Sequence, residues 1–193
     1  MLKPISEIWA SLRVNPDNTF SNFQDVPGGI EAKRSVQAVI DGKRPMVMIT
    51  GGVGNGKTHL LHAASIELYK RGQFARVCLF ADILSTLRES IGNPEMNYDE
   101  ILNNYCYCER LIIDDIGAGG SATDFGYKIL EAIVCARYGR ELLTIMSTNL
   151  DIEDKDFPER VRSRVKDKSV CYLVLNKAVD YRPRKGKNGL SNR

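Results

Sequence analysis

Residues 51–58 form a glycine-rich stretch that ends in a lysine and a threonine, Gly51-Gly52-Val53-Gly54-Asn55-Gly56-Lys57-Thr58. An apolar run over residues 46–50 precedes it, and a helical pattern over residues 59–71 follows it. A phosphate-binding loop requires this context, because the glycines let backbone N–H groups turn towards a phosphate and the positive end of the helix points to the same place. We predict that Lys57 reaches the β- and γ-phosphates of a nucleotide and that Thr58 binds Mg²⁺. The alternative is a strand-to-helix turn without a ligand.

His59 follows the loop directly and completes the predicted nucleotide-binding set, which otherwise contains every residue from Gly51 to Thr58. Helix packing is the simpler role for His59 and also for His62, the only other histidine of the chain.

Two aspartates, Asp114 and Asp115, directly follow the apolar residues 111–113. This pattern is typical of a Walker B strand, which delivers its acids to the carboxyl edge of the sheet, where the phosphate loop also lies. We predict that Asp114 holds Mg²⁺ through its water shell, since hard cations prefer oxygen ligands. Asp115 is then placed to orient or deprotonate an attacking water. Taken alone, the same residues are equally compatible with a turn or a helix cap.

A later strand, predicted over residues 142–147, is followed by Thr148 and Asn149. We predict that Asn149 senses the γ-phosphate, as the polar residue after an inserted strand does in hydrolytic P-loop ATPases; a turn residue is the alternative.

Further on, Arg160, Arg162 and Arg164 occupy alternate positions of a short predicted helix. Because side chains four residues apart share one helix face, Arg160 and Arg164 lie together and Arg162 points elsewhere.

Strands that alternate with helices must position these residues. The chain order predicts a parallel sheet with helices on both faces. The predicted helices are 4–13, 30–40, 59–71, 82–91 with Asp82 as N-cap, 98–105, 123–138 and 158–165, and the predicted strands are 46–50, 74–80, 111–115, 142–147 and 170–175.

Length and composition favour one intracellular domain. The chain has 193 residues, 43% of them hydrophobic, which is enough for one full core. Its five cysteines form no C-x-x-C pair, so neither a zinc site nor a disulfide framework is indicated. The N-terminus shows no signal pattern, and no apolar run approaches the roughly 20 residues of a membrane span. We therefore expect a cytoplasmic protein without a membrane partner.

Positive charge is concentrated at the C-terminal end of the chain, although the net charge of the whole chain is only +3. Five basic residues and no acid lie within residues 182–193, and this tail either contacts nucleic acid or is solvated. We predict three segments: N-terminal helices and linker over residues 1–44, a nucleotide-binding core over 45–176 and a basic, flexible tail over 177–193.

With these motifs, the chain resembles the AAA+ ATPases, and within them the branch of the DnaC-type replicative helicase loaders, the IstB transposition helpers and the related DnaA initiators. The most telling stretches are residues 51–60, 113–117, 147–149 and 159–164. The resemblance implies an α/β fold, the P-loop NTPase three-layer α/β/α sandwich with a central parallel sheet. Only 29 residues follow Arg164, too few for the helical lid and second sensor of most AAA+ proteins, so we expect no full lid.

The resemblance also implies a function. It predicts Mg²⁺-dependent ATP hydrolysis with Lys57, Asp115, Asn149 and Arg164 as catalytic residues, Arg164 acting as a finger in the site of a neighbouring subunit. The implied partners are single-stranded DNA, a replicative helicase or, for an IstB-type helper, a transposase, and further copies of the chain in an ATP-dependent homo-oligomer. From other classes, a small-molecule P-loop kinase needs a mobile lid with arginines and has no use for Asn149, and a non-hydrolysing switch has no use for two intact acids.

Overall fold

The core of the protein is a sheet of five parallel strands, seen in a computed structural model that describes residues 13–178 and 180. The strands are β1 (Met46–Thr50), β2 (Arg76–Leu79), β3 (Arg110–Ile116), β4 (Leu143–Thr148) and β5 (Cys171–Leu175). Their order across the sheet is β2-β3-β4-β1-β5. The predicted helix over residues 4–13 lies, except for Arg13, outside the described residues, as does the basic tail from residue 181.

Within the described residues, six helices cover the two faces of this sheet. They are α1 (Ile30–Ile40), α2 (Lys57–Lys70), α3 (Phe80–Ser90), α4 (Tyr98–Tyr107), α5 (Asp124–Tyr138) and α6 (Glu159–Lys166). Helices α1 and α2 pack on one face, and the other four pack on the opposite face. The predicted three-layer α/β/α sandwich with a central parallel sheet is therefore confirmed.

Strand β1 lies inside the sheet, between β4 and β5, and its first four residues are all apolar. Met46 and Met48 point into the core beneath α3 to α6, whereas Val47 and Ile49 point into the core beneath α1 and α2. All four side chains are fully buried. Because helices cover both faces of a parallel sheet, alternation of side chains between the faces produces no alternation of polarity.

The start of α3 differs from the prediction. Asp82 is not the N-cap, because the helix already begins at Phe80, directly after β2. Phe80 is buried in the core, and the helix follows the strand directly, without a side chain that caps its first turn. Asp82 instead lies in the first helical turn, where a negative charge is favourable, and its carboxylate accepts a hydrogen bond from Arg13 Nη1 at 2.7 Å.

Two further observations concern the described part of the chain. All five cysteines lie within it and none forms a disulfide. Burial raises the pKa of the Cys78 and Cys171 thiols to about 12, so both remain protonated at neutral pH. None of the helices described is long and apolar enough to cross a membrane.

Candidate functional site

The glycine-rich loop connects the end of β1 to the start of α2. Gly56 is the N-cap of α2 and has a φ of +89°, a conformation that glycine adopts without strain, and no side chain caps the helix there. Lys57 is buried, and its Nζ donates hydrogen bonds to the carbonyl oxygens of Gly51 at 2.7 Å and Gly52 at 2.6 Å. The lysine side chain therefore lies across the loop at the start of α2, where the first N–H groups of a helix have no partner within the helix.

The two predicted acids lie at a bulge in β3. The pairing register between β3 and β4 shifts between Ile113 and Ile116, the interval that contains Asp114 and Asp115. Asp115 has a φ of +60°, a left-handed conformation that aspartate tolerates better than most residues. A bulge re-aims side chains at the end of a strand. It leaves Asp114 buried and Asp115 half-exposed beside the phosphate loop.

The end of β4 holds both acids in place. Ser147 Oγ donates a hydrogen bond to Asp114 Oδ1 and accepts one from the backbone N–H of Asp115 at 3.1 Å. Asn149 Nδ2 donates to Asp115 Oδ1 at 2.9 Å. The predicted sensor residue thus contacts the predicted catalytic carboxylate directly, and Ser147 tethers the two aspartates to the neighbouring strand.

A cavity of about 230 Å³ collects most of the predicted site residues. Its lining consists of Val53, Gly54, Asn55, Gly56, Lys57, Thr58, Asp114, Asp115, Ser147 and Asn149. The loop, the two acids and the residue after β4 therefore meet at the carboxyl edge of the sheet, where ligands bind in open α/β folds. Gly51, Gly52, His59 and Arg164, which also belong to the predicted set, are not among the residues that line this cavity.

His59 lies instead beside a second cavity of about 440 Å³, on the other side of the loop. Its Nε2 is 2.8 Å from the carbonyl oxygen of Thr19, and its ring meets the ring of Phe23 edge to face with centroids 5.4 Å apart. The 440 Å³ cavity is lined by Asn15, Asp17, Asn18, Asn22, Phe23, Gln24, Val26, Asn55, Gly56 and His59. The segment before α1 thus forms one wall of this cavity, and Asn55 and Gly56 of the phosphate loop form another part of its lining.

His62, one turn further along α2, fastens the same segment. Its Nδ1 lies 3.3 Å from the backbone N–H of Asn15 and 3.0 Å from Asn18 Nδ2. Burial lowers the pKa of His62, although the nearby carboxylate of Asp114 partly opposes this effect. The neutral ring, with Nδ1 as acceptor, is the form that these contacts require.

Arg164 lies far from the phosphate loop of its own chain. Its guanidinium stacks 5.3 Å from the ring centroid of Tyr138, the last residue of α5, near the edge where the strands begin. The loop follows the other end of β1, and a strand of five residues spans roughly 16 Å. Arg164 therefore does not contribute to the cavity beside its own Lys57.

The other two arginines of α6 make contacts that support the fold. Arg162 Nη2 donates to the carbonyl oxygens of Asp154 and Phe157, which closes the loop before the helix. Arg160 forms an exposed ion pair with Glu131 on α5 at 3.2 Å. Sequence reasoning correctly separated Arg162 from the other two but gave no sign of its loop contacts.

Two polar residues of the site were missed by the sequence analysis. Ser147 belongs to a motif that was recognised, but its contacts with the two aspartates cross between strands. Asn176, which follows β5, is buried against Asn55 of the phosphate loop. An asparagine after a strand is usually a turn residue, so its type alone carries no signal of this contact.

Comparison with known proteins shows which sequences and structures the chain is similar to. The replicative helicase loader DnaC of Escherichia coli (strain K12) is 30% identical over 140 residues, which are 70% of this chain and 56% of that protein. The chain thus spans little more than half of that relative.

Among solved structures, a replication initiator DnaA bound to AMPPCP and single-stranded DNA aligns with a TM-score of 0.69 and 25% identity, over 83% of this chain and 50% of that one. A DnaC helicase loader aligns with a TM-score of 0.69 and 18% identity, over 84% of this chain and 98% of that one. The sequence model of the bacterial DnaA ATPase domain family matches residues 14–168 of the chain. The chain therefore belongs to the bacterial DnaA ATPase domain family of AAA+ proteins, which confirms the resemblance inferred from its motifs.

Proposed function

We propose that the chain binds ATP and hydrolyses it with Mg²⁺. The observation that carries this proposal is the 2.9 Å hydrogen bond from Asn149 Nδ2 to Asp115 Oδ1 at the wall of the cavity that Lys57 also lines. A nucleotide switch needs the loop but has no need for a held carboxylate beside it. A hydrolase needs such a carboxylate, because the attacking water must be oriented and must lose a proton.

Three side chains of the cavity, those of Lys57, Asp115 and Asn149, have a direct role in this reaction. Lys57 neutralises charge on the β- and γ-phosphates, and the N–H groups at the start of α2 donate to phosphate oxygens. Asp115 accepts the proton of the attacking water, while Asn149 holds that carboxylate and contacts the γ-phosphate. Removal of a water proton by a positioned carboxylate typically contributes 10²- to 10⁴-fold to a rate.

The donor set also fits a magnesium ion. Mg²⁺ usually binds through one or two carboxylates together with substrate phosphates and water. Thr58 and Asp114 line the same cavity and offer a hydroxyl and a buried carboxylate oriented by Ser147. These two residues would hold the ion, which supplies charge neutralisation at the phosphate oxygens.

The 440 Å³ cavity beside the loop is our candidate for the adenine and ribose. Small-molecule sites combine apolar or aromatic surface with polar groups that fix the orientation of the ligand, and this cavity offers both. Phe23 and Val26 offer the apolar surface, and His59 closes the cavity next to Gly56. This assignment gives His59 a place in nucleotide binding apart from the phosphates.

We further propose that the chain takes part in DNA replication in the cytoplasm, with a replicative helicase and single-stranded DNA as its partners. The support is the likeness to the helicase loader DnaC and to a DnaA structure bound to single-stranded DNA. We also propose ATP-dependent assembly into a homo-oligomer, in which Arg164 enters the site of the neighbouring subunit. The distance of Arg164 from its own loop supports this arrangement.

Phosphate release from ATP with Mg²⁺ tests the catalytic proposal. We expect Lys57→Ala to lose nucleotide binding and Asp115→Asn to bind ATP yet turn it over at least about 100-fold more slowly. Lys70→Ala, in the last turn of the same helix, and Asp124→Asn, on the exposed first residue of α5, are matched controls and should behave as wild type. A near wild-type rate in Asp115→Asn contradicts the proposal.

The partner is tested by capture with purified proteins. The Asp115→Asn variant, held in its ATP-bound form, should retain a replicative helicase and release it when ADP replaces ATP. Capture of a transposase in place of the helicase would transfer the chain to the IstB-type alternative. Single-stranded DNA should change the ATPase rate at low salt and lose this effect as salt rises, since phosphate contacts are strongly salt-dependent.

A further inference from the structure

The residues that follow β5 turn back onto the phosphate loop. Asn176 is only 2% exposed, and its backbone N–H donates to the carbonyl oxygen of Thr50 at 2.8 Å, which extends the pairing of β5 with β1 by one residue. Its side chain then leaves the sheet and contacts the loop. Asn176 Nδ2 donates to the backbone carbonyl oxygen of Asn55 at 2.9 Å, and Asn55 Nδ2 donates to the backbone carbonyl oxygen of Asn176 at 2.9 Å.

The two asparagines thus form a reciprocal pair between segments 121 residues apart. Asn55 is also buried, and its Oδ1 accepts a hydrogen bond from Lys57 Nζ at 3.1 Å. Gly51 permits this close approach, because a Cβ at that position would lie 2.3 Å from the carbonyl oxygen of Asn176. A continuous chain of contacts therefore runs from Asn176 through Asn55 to the lysine of the loop.

The geometry points to Asn176 as a positioning residue for the nucleotide phosphates, an inference whose ligand rests on the proposed function. In a trans peptide the C=O and the following N–H point in opposite directions. The hydrogen bond from Asn176 fixes the carbonyl of Asn55 on the sheet side of the loop, so the N–H of Gly56 is aimed into the phosphate cradle. The same pair holds Asn55 Oδ1 in place against Lys57 Nζ.

The competing explanation is that Asn176 only stabilises the fold. Substitutions of Asn176 that remove its donor to Asn55 separate this explanation from the positioning role. Asn176 Oδ1 accepts a hydrogen bond from the backbone N–H of Ala178 at 3.0 Å. Asn176→Asp keeps this acceptor and removes only the donor to Asn55, replacing it with an oxygen that repels the carbonyl. Should Asn176→Asp fail to fold, Asn176→Ser, which is uncharged and too short to reach Asn55, replaces it in the same measurements.

The orientation of the loop is measured on the Gly56 amide. The chain contains two Asn-Gly pairs, at residues 55–56 and 188–189. Labelling with carbonyl-¹³C asparagine and ¹⁵N glycine therefore selects two amide signals, Gly56 and Gly189, the latter serving as internal reference. We expect Asn176→Asp to shift or broaden the Gly56 signal in nucleotide-free protein and to leave the Gly189 signal unchanged.

Fluorescent ADP provides the functional readout. We expect Asn176→Asp to bind it about tenfold more weakly, the loss expected for one buried hydrogen bond, while the weaker affinity for adenosine, which lacks phosphates, stays unchanged. Ile133→Val, in the core on the opposite face of the sheet, is the control: it lowers stability without moving the Gly56 signal or the ADP affinity.

Two results distinguish this inference from the proposed function. A wild-type protein that binds no ADP overturns the proposed function, and the Gly56 signal of the nucleotide-free variants still decides whether Asn176 orients the loop. An unchanged Gly56 signal with wild-type ADP affinity in a folded Asn176→Asp variant overturns the positioning role. A lower Tm alone, as in Ile133→Val, would then be the whole effect of the substitution.

Discussion

Arg137 is a fully buried arginine whose removal should destabilise the fold without touching the nucleotide site. It lies at the end of α5 with no exposed surface. Its Nε donates to Thr144 Oγ1 at 2.8 Å, and its Nη1 donates to the carbonyl oxygens of Tyr105 at 2.9 Å and Cys108 at 2.8 Å. Its Nη2 donates to the carbonyl oxygen of Leu143 at 2.8 Å. One side chain therefore connects the end of α4, the start of β4 and α5.

The expected cost of Arg137→Met follows from these four acceptors. A buried acceptor left without a donor costs about 1–3 kcal/mol, and the guanidinium in turn no longer has to be desolvated, which offsets part of the loss. Burial already lowers the pKa of Arg137, which indicates that this desolvation is substantial. Taking the low end for each acceptor, we expect a loss of about 3–4 kcal/mol, a large share of the ~5–15 kcal/mol typical of a domain.

Urea denaturation followed by circular dichroism measures this loss. For a domain of this size we also expect Tm to fall by about 10 °C. Arg137→Lys should lose nearly as much stability, because an ammonium group cannot match the fork of a guanidinium. Arg140→Met is the matched control, since Arg140 is exposed and only stacks on the ring of Tyr107. A loss below 1 kcal/mol in Arg137→Met, at an unchanged denaturant slope, would refute the reasoning.

Two further predictions concern His62 and Arg164. Because the folded chain holds His62 neutral with a lowered pKa, the unfolded chain binds the extra proton first, and the free energy of unfolding should fall as pH drops below about 6.5. Urea titrations at pH 5 and pH 7 should show this slope in wild type and a weaker one in His62→Gln. Arg164→Ala should bind ATP normally but hydrolyse it on the order of 10³-fold more slowly. Mixed with Lys57→Ala, it should recover part of the activity, and no recovery at any ratio would exclude action between subunits.

Local sequence patterns were sufficient to predict which residues meet at the 230 Å³ cavity. Lys57 and Thr58 are adjacent in the chain, and Asp114 and Asp115 follow an apolar strand directly. Parallel strands end at the same edge of a sheet, so residues placed at strand ends meet without any knowledge of side-chain contacts. Asn149 could be placed beside the acids for the same reason, and its contact with Asp115 is observed.

Contacts between distant segments were beyond such patterns. The partner of Asp82 is Arg13, 69 residues away, so nothing in the local sequence opposed its assignment as a helix cap. Arg137 carried a usable signal, because it continues the apolar stripe of Leu130, Ile133 and Val134 at helical spacing and is buried with them. A charged residue that is buried on such a stripe must have hydrogen-bond partners, but the sequence does not show which residues of other elements provide them.

The segments on both sides of the core meet at the phosphate loop. Phe23 lies against Gly56, where a Cβ would come within 2.9 Å of its ring, and Asn176 lies against Gly51. The two segments also contact each other, since the backbone N–H of Lys177 donates to the carbonyl oxygen of Gly28 at 3.2 Å. A ligand that binds and orders the loop therefore stabilises contacts made by residues before α1 and after β5 alike.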